Sequence, residues 1–179
     1  MKNRMSKIVT TIVLVFSFNN SHALEENNAL VDSSVNIYAG KFVLPKGYTE
    51  ADGIWRDDQG KAIDKPKINF SGKYWVGLHS CGAECRYYSM LDLSTGVESR
   101  ALDMFSTTEP SSKTRDGHPY ITILKTRAES KILVAQYHVI LNQLGAEECR
   151  ERLFILKKHS LIPVSKTKAG CANTQNIND

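Results

Sequence analysis

Residues 74–93 read YWVGLHSCGAECRYYSMLDL, and the fold follows from how this stretch is parsed. Tyr74, Val76 and Leu78 alternate with Trp75, Gly77 and His79, the period of two expected of a pleated strand. Arg86 to Leu93 is again rich in residues that favour strands. Cys81 and Cys85 fall at the facing ends of these two predicted strands, with only Gly82, Ala83 and Glu84 between them. Opposed residues of an antiparallel pair lie about 4.5–5.5 Å apart at Cα, within the span of a disulfide. Gly82 gives the short tip its backbone freedom. The stretch predicts a disulfide-closed β-hairpin.

Outward from the hairpin the pattern stays that of strands. Ser94-Thr95-Gly96 predicts a turn, after which Val97 to Phe105 returns as the next strand. Tyr120 to Thr126 and Lys131 to Ile140 flank the polar turn at 127–130, and Arg152 to Leu156 and Leu161 to Val164 flank Lys157-Lys158-His159-Ser160. Each pair predicts a hairpin. An earlier pair of strands, Asn36 to Leu44 and Lys67 to Phe70, brackets a long loop at 45–66 that carries Trp55. Only Leu141 to Arg152 has helix-friendly composition, and Gly145 interrupts it, so a short helical turn is expected there. The fold class is mainly β: a single antiparallel sheet meander, sandwich or small barrel-like, with at most one or two short helices.

The N-terminus predicts export. Lys2, Arg4 and Lys7 precede an apolar run from Ile8 to Phe18, and Ser21-His22-Ala23 supplies a signal-peptidase site before Leu24. Residues 1–23 are expected to be a signal peptide, leaving a periplasmic or secreted protein with no membrane attachment. Residues 24–35 then form a loose arm, 36–171 a single β-rich domain, and 172–179 a flexible tail. The whole chain has 23 basic and 19 acidic residues; without the signal the count is 20 against 19, a net charge of about +1. Nucleic-acid binding demands a clustered cationic excess, so DNA and RNA are not expected partners.

Four cysteines in an exported chain imply disulfides, with three possible connectivities. The hairpin pairs Cys81 with Cys85, which leaves Cys149 for Cys171. The second bridge closes about twenty residues and stabilises by roughly 3 kcal/mol on the loop-entropy model.

Other chemistries fit HSCGAEC less well. A thiol redox site wants two residues between its cysteines at a helix start. A zinc site recruiting His79, Cys81, Cys85 and His118 lacks a second close ligand pair. Ser80 cannot use His79 as its base, because neighbours on a strand point to opposite faces. His118, His138 and His159 are scattered singly, and His138, in an apolar strand, is expected to be hydrogen-bonded in or beside the core. Asp57-Asp58 has the start of a calcium loop, but Lys61 stands where a cation would be repelled. No catalytic, metal or cofactor set emerges.

Residues 73–97, a strand, Cys81, a short loop, Cys85, then a strand and polar turn, resemble the periplasmic inhibitors of vertebrate-type lysozyme. In that family a disulfide-closed loop between two strands projects into the lysozyme cleft. The loop here is shorter and holds no histidine, while His79 precedes the first cysteine. The resemblance implies only that Cys81 and Cys85 staple a rigid, presented loop, and it does not make lysozyme the target. A small, exported, stapled β protein without a catalytic set equally suits an immunity-type protein, so the expected partner is another protein, a lysozyme-like hydrolase or a toxin, blocked by a rigid surface. His79, Glu84, Arg86, Tyr87, Tyr88 and Trp55 are the expected contact residues. The alternative is a periplasmic hydrolase whose site is assembled from several loops.

Overall fold

The computed structural model describes residues 33–82, 85–107, 112–142 and 145–172. The expected signal peptide, most of the arm at 24–35, the tail beyond Ala172 and Glu84 lie outside them. Among the described residues the chain is mainly β, with eleven short strands in three antiparallel sheets, one 3-10 helix and no closed barrel.

The hairpin at the centre of the sequence is also the centre of the molecule. Strands β4 (Tyr74–Ser80) and β5 (Arg86–Asp92) pair over seven registered positions, from Tyr74↔Asp92 to Ser80↔Arg86. Strand β6 (Val97–Ser99) adds to the far edge of β5. Both faces of the hairpin are covered. Tyr74, Tyr88 and Met90 point into the main core, against Leu133 and Ala135 of β8 (Ile132–Ile140), Phe154 and Leu156 of β9 (Glu147–Lys157), and Leu161 of β10 (Ser160–Pro163). These last strands, with β7 (Tyr120–Lys125), form a sheet in the order β10-β9-β8-β7, and β11 (Lys168–Ala169) also pairs with β9.

The opposite face of the hairpin buries Trp75 and Leu91, with Leu93 just beyond, under Leu44, Tyr48, Ile63 and Ile68. The cover includes a small meander, β1 (Thr49–Ala51), β2 (Ile54–Arg56) and β3 (Ala62–Ile63). Gly77 is what lets Trp75 lie down here: a Cβ at position 77 would run into the indole ring. A strand buried on both faces can still alternate large and small residues, because one face must accommodate a folded-over ring.

Several local expectations are corrected. Residues 36–44 form no strand, and Lys67–Phe70 contributes only the isolated bridge Phe70↔Tyr74. The strand after Gly96 stops at Ser99, whose hydroxyl accepts from the Ala101 amide at 3.3 Å and starts the 3-10 helix Arg100–Phe105. Leu102 and Phe105 are three apart, one 3-10 turn, so both enter the core on one side. The described part of 141–152 contains no helix; Glu147 onward joins β9, held by nine registered pairs with β8. The long loop at 45–66 is in part the β1–β3 meander.

Candidate functional site

The two disulfides are Cys81–Cys85 and Cys149–Cys171, with Cα separations of 5.0 and 5.5 Å. The first closes the β4–β5 hairpin, and the Cys81 amide donates to the Cys85 carbonyl at 3.0 Å, continuing the ladder to the tip. Both thiols are consumed, so neither offers a thiolate to a metal. Among the described residues no group of three or more His, Cys, Asp and Glu side chains converges on a metal position. Ser80, Cys81 and Gly82 are exposed, and Leu78 is 48 % exposed on the same side. The second disulfide ties the segment after β11 back to β9, where the Gly170 amide also donates to the Cys149 carbonyl at 2.7 Å.

His79 does not sit on the contact surface expected of it. It is 2 % exposed and fully bonded: Nδ1 faces Asp57 Oδ2 at 2.9 Å and Nε2 faces Ser89 Oγ at 2.8 Å. The reason is strand parity. His79 shares a face with Trp75 and Gly77, and that face lies under the N-terminal cover. Tyr87, opposite His79 in the ladder, stacks on the imidazole with centroids 4.7 Å apart and planes 9° from parallel. Tyr48 and Trp75 close the remaining sides edge-on, at 6.5 and 6.0 Å.

Ser89 was not singled out by sequence, and Asp57 only as the start of an incomplete calcium loop. Asp57 follows β2 and caps the turn into β3: its Oδ1 accepts from the Gln59 and Lys61 amides at 3.0 and 2.8 Å, leaving Oδ2 for His79. Burial pushes the Asp57 carboxyl up, but the His79 hydrogen bond and the two amides outweigh it and hold it below its usual value. The other ionisable groups on this face shift upward. Burial, then the Glu98 charge, pushes Tyr48 to about 12, against a lowering by the Ser89 hydroxyl. Burial likewise raises Glu98, against the attraction of His79. Tyr87 is raised by burial and by the charges of Asp57, Asp58 and Glu98.

Asp57, His79 and Ser89 therefore stand in the order carboxylate, imidazole, hydroxyl. In the tautomer that donates Nδ1–H to Asp57, Nε2 accepts from the Ser89 hydroxyl, the hydrogen bonding a serine nucleophile would use. Access is the difference. Ser89 is 1 % exposed in the middle of a strand, hydrogen-bonded to His79 and against the Tyr48 hydroxyl, and a reacting carbonyl has no open approach to Oγ in this conformation. In this conformation the three groups satisfy one another and lock the hairpin to its cover.

The other expected contact residues are dispersed. Tyr88 is 8 % exposed, pointing into the main core, where its hydroxyl donates to the Thr122 carbonyl of β7 at 2.9 Å and pins the hairpin to the large sheet. It is not available as a surface anchor. Arg86 is half-buried at the tip end of β5 and exchanges two backbone hydrogen bonds with Thr107, at 3.1 and 2.8 Å. Trp55 lies on β2, opposite Glu50 and Ile63, and its indole N–H is buried without a partner. His138 is half-buried opposite Cys149, its Nε2 3.8 Å from the Cys149 sulfur.

No protein-family model, curated protein or solved structure matches this chain.

Proposed function

We propose that this is an exported, non-catalytic binding protein that blocks another protein with the stapled β4–β5 tip, in the manner of an inhibitor or immunity protein. The observation that carries this reading is the contrast between the two ends of one hairpin. Its body is held on both faces, by Tyr88 to β7 and by His79 to Asp57, while its disulfide-closed end leaves Leu78, Ser80, Cys81 and Gly82 exposed. A loop fixed in advance loses little conformational entropy on binding, which favours its use as a wedge. The partner is a lysozyme-like hydrolase or a toxin, met in the periplasm or outside the cell.

Affinity capture from periplasmic and secreted extracts, with purified lysozymes and toxins as defined candidates, tests this. A stable partner is expected, and Glu84→Lys or the pair Cys81→Ser and Cys85→Ser should weaken it by about tenfold, near 1.4 kcal/mol. Capture that ignores these changes, or no partner at all, would overturn the reading.

One observation favours a second reading, a hydrolase assembled from several loops: the Asp57–His79–Ser89 alignment. A fluorophosphonate probe that labels the native protein, with the label lost in Ser89→Ala, would put that reading first.

A further inference from the structure

A second feature lies at the other end of the hairpin. Lys73 immediately precedes β4, so seven residues of strand, about 23 Å at 3.3 Å per residue, separate it from the stapled tip. Beside it runs a groove of about 690 Å³ lined by Ser71, Lys73, Tyr74, Lys131, Lys157, Lys158 and His159 over Val35, Ile155 and Leu156. Among the described residues no acidic one lines it. This is notable in a chain whose overall charge is nearly balanced once the expected signal is set aside.

The topology explains how the cations converge. The Leu156 amide donates to the Lys131 carbonyl at 2.9 Å, which sets the start of β8 beside the end of β9. Lys157 pairs with Ser160 across the two-residue turn Lys158-His159, so the β9–β10 hairpin carries its charges to the rim. Lys157, Lys158 and His159 are exposed, and Lys131 is half-buried. Lys73 is the exception, since it is neutralised by Asp92 at 2.6 Å. Among the described residues, Lys131, Lys157 and Lys158 make no ion pair.

The backbone adds an independent sign. Only three non-glycine described residues have positive φ, and two of them, Ser71 at 46° and Lys158 at 57°, lie in this groove. Two-residue hairpin turns that need positive φ favour Asn or Gly. Lysine at this position costs stability and adds a positive charge to a groove already lined by Lys131 and Lys157.

We propose that this groove binds a phosphate-bearing anion through Lys131, Lys157, Lys158 and His159. A multiply charged phosphate can meet several ammonium groups together, and lysine is a point-charge ligand suited to it. The same chemistry is presented by a soluble phosphate compound and by a phospholipid headgroup, and the experiment separates these sources.

Titration calorimetry with inorganic pyrophosphate, at ionic strength matched with chloride, is expected to show saturable binding that weakens as salt rises. Lys158→Gly removes the positive-φ cost and one charge, so its melting temperature should hold or rise while affinity falls several-fold. Lys157→Gln together with Lys158→Gly should lose at least tenfold. Pelleting with phosphatidylglycerol vesicles, against phosphatidylcholine, then assigns the source. Pelleting that pyrophosphate competes away and the double variant abolishes supports a headgroup. Pyrophosphate binding without pelleting supports a soluble phosphate compound. Absent pyrophosphate binding, or binding unchanged in the double variant, overturns the proposal.

Discussion

Removing the carboxylate of Asp57 should unfold the N-terminal cover from the hairpin, and the cost can be worked from its three bonds. Asp57→Ala deletes the acceptor of the Gln59 and Lys61 amides, at 3.0 and 2.8 Å, and of His79 Nδ1 at 2.9 Å. Gln59 and Lys61 are exposed, so their amides can turn to water at modest cost. His79 cannot, and a buried polar group left without a partner costs about 1–3 kcal/mol. With the three lost hydrogen bonds to a carboxylate included, the loss should be about 3–5 kcal/mol. In a domain of this size that lowers the melting temperature by roughly 6–20 °C. Asp57→Asn is the control. Its Oδ1 still serves the two amides, and its NH₂ can donate to Nδ1 if the imidazole moves its proton to Nε2 and donates to Ser89. That exchange should cost only about 1–2 kcal/mol. Urea unfolding at neutral pH measures both. An alanine variant within about 1 kcal/mol of the parent, or an asparagine variant as damaged as alanine, would refute the account.

The same bonds carry a sign with pH. Asp57 is held below its usual value in the folded state, so its stabilisation is present above the unfolded carboxylate value, about 3.9, and is lost as pH falls through the folded value. Urea midpoints taken downward from neutral pH should therefore fall less steeply in Asp57→Asn than in the parent. Asp92, lowered by Lys73 and Ser94 against its burial, leaves part of the acid slope in place. Gly77→Ala should destabilise by about 1–3 kcal/mol, because the new methyl meets the Trp75 ring and overpacking a closed layer forces side chains off their rotamers. Thermal melts check this, and the tryptophan emission should change with it. Replacing Cys149 and Cys171 together by serine should cost roughly 3 kcal/mol, since the bridge closes a separation of 22 residues, and a smaller loss is expected for the tip bridge with its separation of 4.

How far the sequence revealed this arrangement depends on the range of the interaction. The β4–β5 hairpin was legible because strand alternation and cysteine spacing agree over twenty consecutive residues. Even Ser89 was within reach. A Cys81–Cys85 closure sets His79 opposite Tyr87 and Gly77 opposite Ser89, which places Ser89 diagonal to His79 on one face. Asp57 was not, since nothing local indicates that a turn residue 22 positions earlier folds over that face. The same parity argument makes His79 a buried residue once the cover is known, but the cover is built from short strands and irregular chain that leave no periodic trace. Strand β9 misled for a different reason. Glu148, Arg150, Glu151 and Arg152 suit a helix, and tertiary pairing with β8 overrides that preference.

The two bridges also join each cysteine to the next one along the chain, first with second and third with fourth. Of the three possible connectivities this is the one that contiguous oxidation produces. A chain entering an oxidising space from its N-terminus would meet Cys81 and Cys85 together, then Cys149, and finally Cys171, with no earlier thiol left to capture the wrong partner. For a chain exported in that way, maturation would ask for an oxidant and not for a reshuffling catalyst.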